Sequence, residues 1–202
     1  MRRIWLALAA ALLTVAALAA AALAHDARSW RDGLAVGDER FAAAPASARW
    51  HAQTWLPGDP AGTALAASGD VALREAVQDF LAALHTGRGF DNGEHRARVR
   101  SAAESALARV AAGANPEEAS QANDLLGVLQ ALGSGATAEE LALASFQAAV
   151  RADPSNTAAK ANLELTLRRL QAIGSRRGPG NGSGPRGSGR RGAGSGTPGR
   201  GY

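Results

Sequence analysis

The chain has 202 residues, 46% hydrophobic, 4% aromatic and 20% charged, with a formal net charge of +4. It has no cysteine, which excludes disulfides and thiolate metal sites and leaves either side of a membrane open. Alanine is abundant and β-branched residues are few, which disfavours a sheet and favours helix.

The charge is unevenly placed. Arg2 and Arg3 carry +2, residues 174–202 carry +6 with no acid, and residues 25–173 hold 14 basic and 18 acidic side chains, net −4. The basic excess describes the ends of the chain, so nucleic-acid binding does not follow from it and none is expected.

Residues 1–3 are a basic N-terminus, and residues 4–24 form an uncharged apolar run, IWLALAAALLTVAALAAAALA. At 1.5 Å per residue, 21 residues of helix cross a hydrocarbon core of about 30 Å. A transmembrane anchor is expected. The alternative is a signal sequence cleaved after Ala22-Leu23-Ala24, against which stands the length of the run. With Arg2 and Arg3 inside, both place the rest of the chain outside the cytoplasm, although Arg28, Arg31 and Arg40 on the far flank weaken the charge rule.

Residues 25–69 read as an irregular Trp- and Pro-containing segment. Ser29-Trp30-Arg31 can prolong the anchor helix, and Gly37-Asp38 reads as its break. Pro45, Pro57 and Pro60 disfavour helix over much of 45–62. Trp30, Trp50 and Trp55 are expected to pack this segment onto the helices rather than to form a binding face or meet the membrane interface.

Residues 70–173 read as a helical domain. Leu73, Val77, Phe80, Leu81 and Leu84 predict a helix over 70–86, started by Ser68 or Asp70 and stopped by Gly87 and Gly89. A turn at 90–93 leads to a helix over 94–112, whose outer arginines 96, 98, 100 and 109 are expected to pair with nearby acids. Asn115-Pro116-Glu117-Glu118 is a helix start, and Gly133 ends that helix. Thr137-x-x-Glu140 predicts a capping box for the next helix, which Asp153-Pro154 ends. The last helix runs from about 157 to 173. Residues 174–202, with 12 glycines and six arginines, cannot bury enough apolar surface to fold and are expected to be a disordered Gly/Arg-rich tail.

Ala142, Phe146, Ala149 and Pro154 have the offsets A-x3-F-x2-A-x4-P, which resemble half of a tetratricopeptide repeat. Small alanines let two helices approach, a Phe fills the gap, and a proline ends the second helix. Leu126-Gly127 looks like the Leu-Gly pair of the first helix, with a turn three residues longer than the family spacing. Asn162-Leu163 falls where the next repeat carries its Asn-Leu pair. The expected fold is therefore all-α: an N-terminal transmembrane helix, a short TPR-like array of helical hairpins, and the tail. A generic helical bundle is the alternative.

The order of parts also resembles a family. An N-terminal anchor is followed by the Trp30 region with Gly37-Asp38, then Trp50 and Pro57. After these come ASQANDLLGVL at 119–129, FQAAVRADPSNTAAKANLEL at 146–165, and a Gly/Arg tail. This is similar to the small membrane-anchored tetratricopeptide-type proteins of bacterial MoxR ATPase and von Willebrand factor A-domain systems (BatC-like). The resemblance implies a non-enzymatic scaffold at the cell envelope, with protein partners such as von Willebrand factor A-domain membrane proteins.

No catalytic, cofactor-binding or metal residues are expected. The four histidines lack metal spacing, there is no P-loop, and the three G-x-G-x-x-G matches at 182–187, 187–192 and 194–199 lie in the tail without strand or helix around them. The alternative function is binding of anionic lipid or cell-wall polymer through the tail, by a secreted or anchored chain.

Overall fold

The computed structural model describes residues 2–86 and 93–176. Every regular element among them is helical: α1 (Arg2–Ala43), a 3-10 turn (Pro45–Ser47), α2 (Pro60–Ala64), α3 (Ala67–Thr86), α4 (Gly93–Ala111), α5 (Pro116–Ala131), α6 (Ala136–Ala152) and α7 (Thr157–Arg176). The glycine stop at 87–89, most of the turn before Gly93 and the tail beyond Arg176 lie outside the described residues.

The longest element departs most from expectation. α1 does not break at Gly37-Asp38 but continues as one helix to Ala43. Gly37 is buried, because the Trp50 ring lies where its Cβ would be, 2.2 Å from that position. Asp38 accepts the Trp50 Nε1–H at 2.8 Å and pairs with Arg74 of α3 at 2.9 Å. The Gly-Asp pair marks a docking site on a helix, not its end. In the first half of α1 every residue from 2 to 21 is exposed, and the helix is long and apolar enough to cross a membrane.

The helices α3 to α7 pack in sequence, each against the next, and α5 also touches α3 and α7. The centre of α3–α5 is an apolar cluster of Ala76, Phe80, Ala103, Ala106, Leu107, Val110, Ala122 and Leu129, flanked by half-buried leucines. Alanines dominate because close helix approach needs small side chains. Phe80 and Leu107 then supply the bulk, each worth roughly 1.5–3 kcal/mol on burial.

Helix ends follow local chemistry with two exceptions. Asn115 caps α5, accepting the Glu117 N–H at 3.1 Å, with Pro116 in the first turn. Asp153 is extended (φ −135°, ψ 101°) and ends α6 before Pro154. Asn156 then caps α7 by accepting the Ala159 N–H at 3.0 Å. The Thr137 capping box is not formed. Gly135, at φ +99°, turns the chain so that α6 begins at Ala136 and Thr137 is already helical. Likewise α3 begins at Ala67, after Ala66 at φ +52°, so neither Ser68 nor Asp70 stands at its cap. Of the arginines on α4, Arg100 pairs with Glu104 at 2.8 Å and also donates to the Leu129 carbonyl of α5.

Candidate interaction face

Three surfaces carry organised chemistry: the α5–α7 contact, a groove between α1 and the hairpins, and the segment that returns along α1.

The packing of α5 against α6 and α7 assembles the repeat-spaced residues. Gly127 is buried under the Phe146 ring, and an added Cβ would lie 2.6 Å from that ring. Ala142 and Ala149, one turn either side of Phe146, are completely buried. Leu126 and Leu163 are half-buried, and Pro154 is exposed just past the helix end. Asn162 faces α5 and donates to Asp124 at 2.9 Å.

Asp124 was not singled out by spacing, nor were Ser120 and Asn156, although the three form the polar part of this contact. Ser120 donates to the Ala149 carbonyl at 2.8 Å and accepts from Asn156 at 2.9 Å. Both Ser120 and Asp124 are buried. Burial pushes the Asp124 carboxyl up from its ordinary pKa, and the Asn162 bond only partly opposes this. The trace of Ser120 and Asp124 in the sequence is a pair of polar residues four apart on an otherwise apolar face, and Asn156 stands in the turn before α7.

The groove, with a cavity of about 400 Å³, lies between α1, α3 and the start of α5. Phe41, Trp50, Leu73 and Val77 give it an apolar floor; among the described lining residues, Asp38, Asp70, Glu117 and Glu118 stand against one cation, Arg74. Arg74 is engaged by Asp38 and, at 3.6 Å, by Asp70. That guanidinium holds the Asp38 carboxyl below its ordinary range despite partial desolvation, and Trp50 Nε1–H adds to the effect. The groove is therefore net acidic, with an apolar base. Such a site suits an extended segment carrying basic and apolar side chains.

The return segment, residues 44–59, runs antiparallel along α1. Trp50 sits on Gly37, and the His51 carbonyl lies on Gly33, 2.1 Å from where a Cβ would be. The Gln53 N–H donates to Ser29 Oγ at 2.9 Å. The N–H groups of Trp55 and Leu56 donate to the two carboxylate oxygens of Asp26 at 2.8 and 3.0 Å. Asp26 is fully covered; desolvation raises its pKa, but the two amides and the neighbouring His25 more than offset this, and the net shift is downward. Asp59 accepts from Trp30 Nε1 at 3.0 Å and from the Gly62 N–H at 2.9 Å, starting α2. Two of the three tryptophans thus pin the segment to the helices, as their size suggested. No group of His, Cys, Asp and Glu able to hold a metal occurs among the described residues.

Comparison with protein-family models, characterised proteins and solved structures finds no match to this chain.

Proposed function

We propose that this chain is a non-enzymatic, membrane-anchored helical scaffold that binds a protein partner outside the cytoplasm. The observation that carries the reading is the joint between anchor and hairpins. The far half of α1 is tied to the return segment and, through Asp38–Arg74, to α3, which leaves the acidic groove open beside it. A tie of this kind serves to hold a binding face at a set place relative to a membrane. The apolar run of 21 residues, longer than the apolar core of a typical signal sequence, supports an anchor over a cleaved signal.

The hairpin order and the α3–α5–α7 contacts support a TPR-like array, in which first helices line one face. The partner bound there is a protein segment with basic and apolar side chains. The resemblance to BatC-like proteins makes a von Willebrand factor A-domain membrane protein the candidate, beside a MoxR-type ATPase.

Crosslinking in intact membranes tests this. A photo-reactive residue at Gln121 on the groove wall is expected to capture a discrete protein. Glu117→Lys together with Glu118→Lys, reversing the groove charge, is expected to abolish that capture. A chain ending at Arg176 is expected to keep it. Loss of capture on removing the tail alone would favour the tail as the binding element, and a mature mass beginning at His25 would remove the anchor.

A further inference from the structure

We infer that the tip of the return segment, centred on Trp55, is a second membrane contact that seats in the headgroup layer beside the anchor; this rests on reading α1 as membrane-spanning. Three observations converge on it. The first is level. Asp26 binds the backbone of Trp55 and Leu56, and the His25 and Trp55 rings stack with centroids 3.8 Å apart. The tip therefore stands one to two residues past the end of the apolar run at Ala24. Ala22, one turn below Asp26 on the same face, is partly covered, whereas residues 2–21 are all exposed.

The second is spacing. Trp5, at the other end of the run, is 71% exposed. From Trp5 to His25 a straight helix rises about 30 Å. That equals the hydrocarbon thickness, so the two rings stand at opposite boundaries, where tryptophan is enriched because its body is apolar and its N–H is polar.

The third is the contrast among the tryptophans of the return segment and its helix. Trp30 and Trp50 give their indole N–H to Asp59 and Asp38. Trp55 is 70% exposed, and its indole N–H meets no acceptor among the described residues. A large aromatic held outward by two backbone bonds to a covered carboxylate is positioned for something outside the chain. Arg28, exposed one turn above His25, faces the same layer and suits lipid phosphate.

The absence of cysteine allows a clean test. The full chain is reconstituted in phosphatidylethanolamine–phosphatidylglycerol vesicles with a single nitroxide at Leu12→Cys, Thr54→Cys or Leu165→Cys. Collision with oxygen and with a water-soluble nickel chelate is then measured. Position 12 is expected to read hydrocarbon and position 165 water. Position 54 is expected to fall between them, with an oxygen-to-nickel ratio several-fold above that at 165. Adding Trp55→Ala is expected to move position 54 towards the value at 165. If 12 reads hydrocarbon while 54 matches 165, the tip contact is wrong and the anchor stands. If 12 reads water, the anchor is wrong and the inference falls with it. If Trp55→Ala leaves an intermediate reading at 54 unchanged, the ring is not the contact.

Discussion

At the scale of single residues, the packing depends on what is missing as much as on what is present. Gly127 gives the Phe146 ring its place, and a methyl there must displace an aromatic ring held on all sides. Gly127→Ala is therefore expected to lower the stability of the full chain in detergent by about 1–3 kcal/mol, read from its denaturation midpoint. The usual small gain in helix propensity from Gly to Ala would be overridden. Asp124 gives a second expectation. Its folded pKa lies above the ordinary 3.8, so ionising it costs stability, a cost absent at low pH and growing as pH rises through the folded value. Asp124→Asn keeps an oxygen acceptor for Asn162 and removes the charge. It is expected to raise the melting temperature at neutral pH and to leave it nearly unchanged at about pH 3, below the ordinary 3.8. Equal effects at both pH values would rule out the buried charge as the cause.

At the scale of elements, the return segment has no helix of its own to hold it between Ala48 and Gly58. It is fixed by hydrogen bonds to Asp26, Ser29 and Asp38 and by the glycines at 33 and 37. Asp26 and Asp38 both have lowered pKa values, so their contribution is complete above the ordinary 3.8 and is lost as pH falls through the folded values. The segment is expected to come off α1 in acid before the hairpins unfold. Tryptophan emission and protease cutting within 44–59 should change at a pH where helix content is still native. Gly37→Ala is expected to produce the same release at neutral pH, because its Cβ would occupy the Trp50 ring position. Simultaneous loss of helix content and of segment docking would show that the two are one cooperative unit.

At the scale of the whole molecule, the two ends of the helical domain differ among the described residues: α3 carries the return segment, and α7 keeps apolar side chains exposed. The return segment packs on α1 and α3 rather than on α7. Leu167 is 40% exposed and Ile173 45% exposed. α7 nevertheless serves the fold, since Ala159 is fully buried and Asn156 and Asn162 satisfy Ser120 and Asp124. Helices α3 to α7 each pack on the next, so removing α7 uncovers the faces of α5 and α6 that it contacts. A chain ending at Asn156 is expected to melt many degrees lower than one ending at Arg176. The latter should match the full chain, and circular dichroism in detergent measures both.

The helices could be read from the sequence because their signals are local. Periodic leucines and alanines, Asn115-Pro116 and Asp153-Pro154 act within a turn or two of the chain. The apolar run at 4–24 is equally local, since crossing a membrane is a matter of length and composition. The breaks at Gly37-Asp38 and the cap at Thr137 misled because their meaning depends on distant partners or neighbouring backbone. Gly37 serves Trp50 and Asp38 serves Arg74, 36 positions on. Gly135 starts α6 before Thr137 can cap it. The polar contact of Ser120, Asp124, Asn156 and Asn162 likewise exists only once α5 and α7 lie side by side. Sequence alone thus determined the helical class, most helix ends and the apolar span. Only the tertiary structure decided that the proline-rich segment doubles back along α1 to the foot of the domain. Antiparallel docking there is set by hydrogen bonds and ring-on-glycine contacts between residues 12 to 30 positions apart, which no local pattern encodes.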